Sequence, residues 1–570
     1  MSRWKAIVVV WCCSAFGPPA VCGAADWPMY RADAARSGYT PETLPEGLSL
    51  AWSYRAAAGP SPAWPKSDRM TFDRAYQPVI AGPLLYFGSS TDGKVYALDA
   101  ATGAERWTHY TGGPLRLAPA AWKDRVLVAG DDDQVVCLRA DDGRPLWRLR
   151  GGPKADMLLG NDRMISRWPL RGGPVVADDV LYVAAGIWSS EGIFIYALDP
   201  ISGKVLWCND SSGSIEMDQP HPGARARSGV AAQGYLAVAG DALVVPTGRA
   251  VPAVFDRSSG QFRSFPLQAY GKLGGADVVA FDGQLFNHGM LFSAEKDVKP
   301  QTLGPQIALH PQWVISCRKD KLFAYNRRNL WVAASTIDRK GRTIATKALS
   351  PPAWSAALPH LGEAAMIVAG DKIVVGGPDR VSIVDAGSRR TVWTAEVEGT
   401  AYGLAVARGR LYVSTDRGRL DCFHRGEPSA QRASPAPPAP RPAPSLLSEN
   451  PAGAQSAAEE ILRLAGVRDG YCLDLGCGDG RLSIELAERT RLRIWAVDPD
   501  AAKVAALRRI LDAAGLLGTR VTVQEADLDK VPYPRWFADL VVSGRSITEG
   551  EGAVPAAAVR RFQRPWGGVA

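Results

Sequence analysis

The chain has 570 residues, 46% of them hydrophobic and 22% charged, which is the composition of an ordinary folded protein and excludes a disordered or fibrous one. A formal net charge of +8 is scattered along the sequence, so no basic face argues for nucleic acid as a partner. The length predicts more than one domain.

Arg3 and Lys5 precede an apolar stretch at 6–17, and small residues follow at 23–25. Residues 1–25 therefore read as an export signal, which predicts a periplasmic or extracellular mature chain. The apolar run is too short to cross a bilayer, and no transmembrane segment is expected in the mature chain.

Internal repeats come next. Residues 93–107, 134–147 and 194–207 share one pattern: an alternating apolar strand, a turn with Gly103, Gly143 or Gly203, and a closing tryptophan at Trp107, Trp147 or Trp207. The first two tryptophans are forty residues apart and the next two sixty, which leaves room for an insertion at about 156–167. Weaker copies lie at 254–260 and 381–393, and a last one at 418–423 lacks the tryptophan. Asp99 is placed to cap its turn through its side chain, and Gly103 supplies the positive φ such a turn needs. About forty residues holding four short strands is the size of a propeller blade, with the indole sealing one blade against the next. This predicts an all-β propeller over residues 26–427, with seven four-stranded blades, or eight if Leu50–Tyr54 pairs with the last unit. Residues 272–349 are too diverged to place in register.

These units resemble the quinoprotein-like, or PQQ-like, β-propeller repeats. Quinone-dependent alcohol dehydrogenases with such repeats use an adjacent cysteine pair and a calcium ion. Here the adjacent pair is Cys12-Cys13, inside the signal. The resemblance therefore carries over a fold and not the quinone, and PQQ is not expected as a cofactor. Cys137, Cys208, Cys317, Cys422, Cys472 and Cys477 contain no Cys-x-x-Cys, and the six histidines lack ligand spacing, so no metal site is expected. The ring is expected to bind a protein or small-molecule partner of unknown identity.

Residues 428–452 are rich in proline and alanine and predict a semi-rigid linker. A helix-forming run at 457–464 then opens a second domain, 453–570. Tyr471-Cys-Leu fits a buried strand that runs into Asp474, Gly476, Gly478 and Gly480, followed by an amphipathic helix. A second strand ends at Asp498, a third at Glu525-Ala-Asp527, a fourth covers 538–543, and 564–568 turns into a fifth. Strands alternating with helices predict a Rossmann-like, doubly wound α/β sheet. A dinucleotide fold is the competitor, but the spacing Gly-x-Gly-x-x-Gly is absent.

The pattern resembles the class I S-adenosylmethionine-dependent methyltransferases. By that resemblance, Gly476, Gly478 and Gly480 lie against the methionine part of the cofactor, with Asp474 near its amino group. Asp498 holds the ribose hydroxyls and Asp527 the adenine amine. No catalytic residue is assigned, since methyl transfer from a sulfonium relies mainly on positioning. By the same resemblance Ser543 faces the substrate side; the Ser543-Gly-Arg545-Ser stretch has two readings, the lining of a substrate pocket or an ordinary loop, and the loop is preferred. Family members continue beyond the turn at 567–568, so this domain is expected to be C-terminally incomplete. The expected function is methyl transfer from S-adenosylmethionine to an unknown acceptor, with the propeller as scaffold. The alternative is a non-enzymatic exported scaffold with a degenerate methyltransferase domain, and a quinone-dependent oxidoreductase is the weakest reading.

Overall fold

A computed structural model describes residues 25–426 and 452–570, apart from 222, 249, 271–272, 295–297, 338–340 and 551–553. The export signal and the linker expected at 428–452 lie outside the described residues, except for their last residues, Ala25 and Ala452.

The repeats form eight four-stranded units around one axis. Six are separate sheets beginning at the inner strands Val79–Ala81, Ala120–Trp122, Gly172–Ala177, Ala237–Ala239, Val278–Phe281 and Gln306–Leu309. The last two share one ladder. The run Lys372–Asp385 doubles back on itself, as the 2.8 Å pair between Lys372 Nζ and Asp385 Oδ2 shows. Arg390–Ala407 leaves the seventh blade as its outer strand and enters the eighth as its inner one. Leu48–Arg55 closes the ring as the outer strand of blade 8, with Leu50 opposite Phe423 and Trp52 opposite Cys422. The pairing on which the eight-blade count depends is therefore present. The stretch without sequence register supplies most of blades 5 and 6.

The turn chemistry follows the sequence reading. Asp99 Oδ1 accepts from the N–H groups of Ala101 and Thr102, and Asp199 and Asp256 do the same in their blades. Gly103, Gly143, Gly203 and Gly260 have φ between 71° and 73°. Trp52, Trp107, Trp147 and Trp207 lie against those four glycines in turn, where a Cβ would meet the indole at 2.4–2.7 Å.

One element has no counterpart in the sequence reading. Residues 27–42 form a strap that follows the inner strands round the ring in blade order. Trp27 exchanges backbone hydrogen bonds with Ile80 in blade 1, and Pro28 O accepts from Ala121 N in blade 2. The Arg36 guanidinium donates to Pro174 O and Leu236 O in blades 3 and 4. Ala35 O and Ser37 O serve Ala280 and Leu309, Tyr39–Thr40 pairs with Val368–Ala369, and Glu42 takes the Arg408 N–H of blade 8. Inner strands have one unpaired edge, and the strap satisfies it. Its bonds are mostly to backbone, which leaves no side-chain periodicity to read.

The second domain has a parallel sheet in the order Val521–Glu525, Arg493–Asp498, Tyr471–Leu475, Leu540–Val542. Val569 adds a parallel bridge beside Leu540, the start of the expected fifth strand. One sheet face is covered by helices Ala452–Ala465, Arg481–Arg489 and Ala501–Ala513 through Leu462, Leu486 and Leu507. The other face is partly covered by the propeller. The insertion expected at 156–167 is a hairpin, Met157–Gly160 with Arg163–Ser166. Its Met157 and Met164 pack with Leu473, Leu475, Trp495 and Val531. Met157 N donates to Pro532 O at 2.9 Å, and Tyr471 Oη to Asp162 Oδ1 at 2.6 Å. Lys94, buried in blade 1, reaches Asp512 Oδ1 at 2.7 Å.

Candidate cofactor site and its relatives

The glycine loop leaves the sheet at Leu475 and enters helix Arg481–Arg489. Gly476, Gly478 and Gly480 all have positive φ, at 80°, 59° and 77°. Gly480 also touches the next helix: a Cβ there would fall 2.3 Å from Leu507 Cδ1. The alternating glycines thus meet a backbone requirement before any ligand is considered.

Asp474 and Asp498 are both fully buried and both belong to the loop's hydrogen-bond network. Asp498 Oδ2 accepts from Gly478 N at 3.0 Å, and its Oδ1 from Asp500 N at 3.0 Å. Asp474 Oδ2 accepts from Ser483 Oγ at 2.7 Å, and its Oδ1 from Gly544 N at 2.8 Å. Burial pushes the Asp474 carboxyl up to about 6, although both donors hold it down; Asp498 and Asp479 add repulsion. An acid raised in this way takes a proton in the folded chain between pH 6 and 4, a proton the unfolded chain declines. Its contribution to stability therefore falls as the pH rises through that window. Asp474→Asn, which keeps the Gly544 N bond on its oxygen and donates its amide N–H to Ser483 Oγ in place of the second, should flatten this slope in denaturant melts taken from pH 4.5 to 7. Asp132 in blade 2, also raised to about 6 by burial and then by Asp133, should keep part of it.

Asp527 stands apart. Its side chain is 62% exposed and lies 3.3 Å from Lys530 Nζ. It belongs to the same loop cluster because Ala526 N donates to Asp498 O.

The stretch read as an ordinary loop after the fourth strand is a short helix, Gly544–Glu549, capped by Ser543 Oγ accepting from Ser546 N. It rests on the glycine loop. Arg545 N donates to Gly476 O at 2.7 Å, and a Cβ on Gly544 would lie 2.5 Å from Cys477 O. The Arg545 guanidinium points toward Asp498, 4.0 Å from Oδ1, and Arg545 Nε is 3.4 Å from Glu549 Oε1. Leu528, Val554 and Arg545 Cβ lie 3.3–3.4 Å from the place of a Cβ on Gly476. Side chains thus cover the loop at Gly476, whereas among the described residues nothing comes nearer to the place of a Cβ on Gly478 than Arg545 N, at 3.8 Å. The sequence reading preferred a loop here and gave Arg545 no place beside Asp498. The serine cap before a helix-compatible Arg-Ser-Ile-Thr-Glu was the available signal.

Residues 52–207 match the family described as Outer membrane protein assembly factor BamB, and residues 472–565 match a methyltransferase domain. The chain is a PQQ-like propeller repeat protein fused to a methyltransferase domain. Among curated relatives, the propeller repeat protein is 25% identical over 165 residues to the quinoprotein ethanol dehydrogenase of Pseudomonas putida, covering 26% of this chain and 25% of that one. It is 23% identical over 350 residues to the glycerol dehydrogenase large subunit of Gluconobacter oxydans strain 621H, covering 53% of this chain and 45% of that one. The chain thus spans less than half the length of either relative. Among solved structures, a europium-containing methanol dehydrogenase aligns with a TM-score of 0.49 at 13% identity, over 70% of this chain and 98% of its own. The quinohemoprotein alcohol dehydrogenase from Comamonas testosteroni gives 0.48 at 15%, over 77% and 85%.

The axis of the propeller is a poor fit for a quinone. Tyr30 of the strap stacks on Tyr235 at 3.5 Å, and Arg36 lies against the same ring. The cavity left on the axis measures about 130 Å³ and is lined by Tyr30, Arg31, Phe72, Asp277 and His288. Small-molecule sites usually measure roughly 300–1,000 Å³. Beneath the loop that follows Leu48–Arg55, Asp73, Arg116, Asp131 and Arg171 form a buried chain of ion pairs. Among the described residues, no three His, Cys, Asp or Glu side chains converge as metal ligands would.

Proposed function

We propose that the methyltransferase domain binds S-adenosylmethionine and passes its methyl group to an acceptor recruited by the propeller of an exported chain. The observation that carries this reading is Asp498. It is a buried carboxylate at the carboxyl end of the second strand, held on the glycine loop by Gly478 N. That is where an acid accepts hydrogen bonds from a ribose diol. In this reading Gly476 and Gly478 line the methionine part, Asp474 fixes the loop, and Asp527 takes the adenine amine. Bound there, the cofactor supplies an activated methyl on a sulfonium. The residues contribute position and exclusion of water. Arg545 moves off Asp498 to admit the ribose. Calorimetric titration of the full chain tests the ribose assignment. Asp498→Ala should weaken binding by about 1–3 kcal/mol, the value of charged hydrogen bonds. Unchanged affinity would remove Asp498 from the site.

A second reading, an exported scaffold with a silent methyltransferase domain, is favoured by the cover that Leu528, Val554 and Arg545 form over Gly476. The names of the relatives lend weight to a quinone oxidoreductase, but the filled axis speaks against it. Among the described residues no helix is long and apolar enough to cross a membrane.

A further inference from the structure

The ring breaks its own rule between blades 4 and 5. In each blade, one outer-strand residue pairs with the third strand two positions before its turn cap. Trp107 pairs with Ala97, Trp147 with Cys137, Trp207 with Ala197, Trp354 with Ala324, Trp393 with Ile383 and Trp52 with Cys422. In blade 4 the position opposite Val254 is Ser264. In blade 5 it is Gln301, opposite Leu291. The junction of blades 5 and 6 is filled by other means, since Phe286, Leu303, Tyr325 and Trp331 pack there and Trp331 Nε1 donates to Gln284 Oε1. Among the described residues, no side chain fills the junction of blades 4 and 5 in the same way. A cleft of about 770 Å³ lies there, with Ser264 on its wall beside Val244, Val254, Phe281, Leu285 and Phe292.

The other junctions state what such a gap accepts. Trp52, Trp107, Trp147 and Trp207 each donate Nε1–H to the carbonyl of the residue after the next blade's cap: Ala100, Ala140, Pro200 and Arg257. Three of those residues also donate their own N–H back to a turn, Ala100 to Pro83 O, Ala140 to Asp124 O and Arg257 to Asp241 O, while Pro200 has no N–H to give. In blade 5, Ala294 makes the equivalent bond, to Gly283 O, and Ala294 lines the cleft. The cleft therefore keeps the apolar walls and the acceptor position of an indole site, and lacks the indole.

We propose that the cleft between blades 4 and 5 binds a planar aromatic small molecule that carries an N–H donor. Its volume falls within the range of small-molecule sites and leaves room for substituents beyond a bicyclic ring. Removing a large side chain from a packed interior leaves an apolar cavity that takes up a small aromatic ligand. The site is independent of the methyl-transfer reading, because the methyltransferase domain packs on blade 1 and on the hairpin before blade 3.

The test uses indole as the probe, titrated into the full chain and followed by saturation-transfer NMR. The wild-type chain should bind it, Ser264→Ala should stay within about twofold, and Ser264→Trp should lose at least tenfold while melting at a higher temperature. Leu285→Trp fills the cleft from the opposite wall and should also abolish binding, so the test survives if Ser264→Trp does not fold. Indene, which lacks the N–H, should bind several-fold more weakly. No binding by the wild-type chain, or binding retained in either folded tryptophan variant, would overturn the proposal. Equal affinity for indene would overturn the role of the donor.

Discussion

Asp131→Ala is expected to cost the propeller about 3–5 kcal/mol, read as a shift of its unfolding transition in denaturant. Asp131 is 1% exposed and takes both Arg116 and Arg171, at 1% and 4% side-chain exposure. Burial on its own would raise its pKa, but the two guanidinium groups more than offset this and hold the carboxyl below its ordinary value. Truncation leaves two buried cations with one remaining carboxylate, Asp73, which accepts from Ala63 N and pairs with Arg116 but not with Arg171. The sign follows from linkage. A carboxyl depressed in the folded chain contributes stability above its unfolded value near pH 4, and loses it as the pH falls through the folded one. Wild type and Asp131→Ala should therefore converge in stability at low pH. A loss under 1 kcal/mol at pH 7 would mean that water reaches the cluster.

The second large effect concerns how the two domains hold together. The double change Met157→Ala, Met164→Ala removes two buried side chains from the sheet face of the methyltransferase domain. Large-to-small changes of this kind cost about 2–5 kcal/mol each in a packed interior. The expected result is loss of coupling: the methyltransferase domain melts separately and earlier than the propeller. Amide exchange in Tyr471–Leu475 and Arg493–Asp498 should rise in step. An unchanged single transition would show that Lys94–Asp512 and the Asp162 contacts suffice to hold the domains together. The hairpin also explains why tests of the site belong on the full chain, because domain 453–570 alone would expose Leu473 and Trp495.

The sequence carried the elements that repeat or obey a local rule. Trp107, Trp147 and Trp207 announced blades because each indole has a fixed place in the strand register. The parallel sheet, though not its strand order, followed from alternating strands and helices around Asp474-Leu-Gly476. Blade 5 was illegible because Gln301 stands where the marker tryptophan should be, and blade 6 because the hairpin Trp331–Ile337 with Thr343–Leu349 separates its marker, Trp354, from the strand it pairs with. The strap at 27–42 was illegible for a different reason: its bonds end mostly on backbone groups of the inner strands, some from its own backbone and some from Arg31, Arg36 and Glu42, and this leaves no repeating pattern of residue type. The cover over Gly476 depends on Arg545, Leu528 and Val554 meeting from three separate segments, a tertiary event beyond any local pattern.

The account turns on whether the ground between the glycine loop and Asp498 is a cofactor site closed by Arg545. Calorimetry of S-adenosylmethionine against the full wild-type chain and the Arg545→Ala chain decides it. The account predicts measurable binding by wild type and at least several-fold tighter binding once the guanidinium is gone. No heat from either protein, with both folded, would contradict it and leave the scaffold reading in its place.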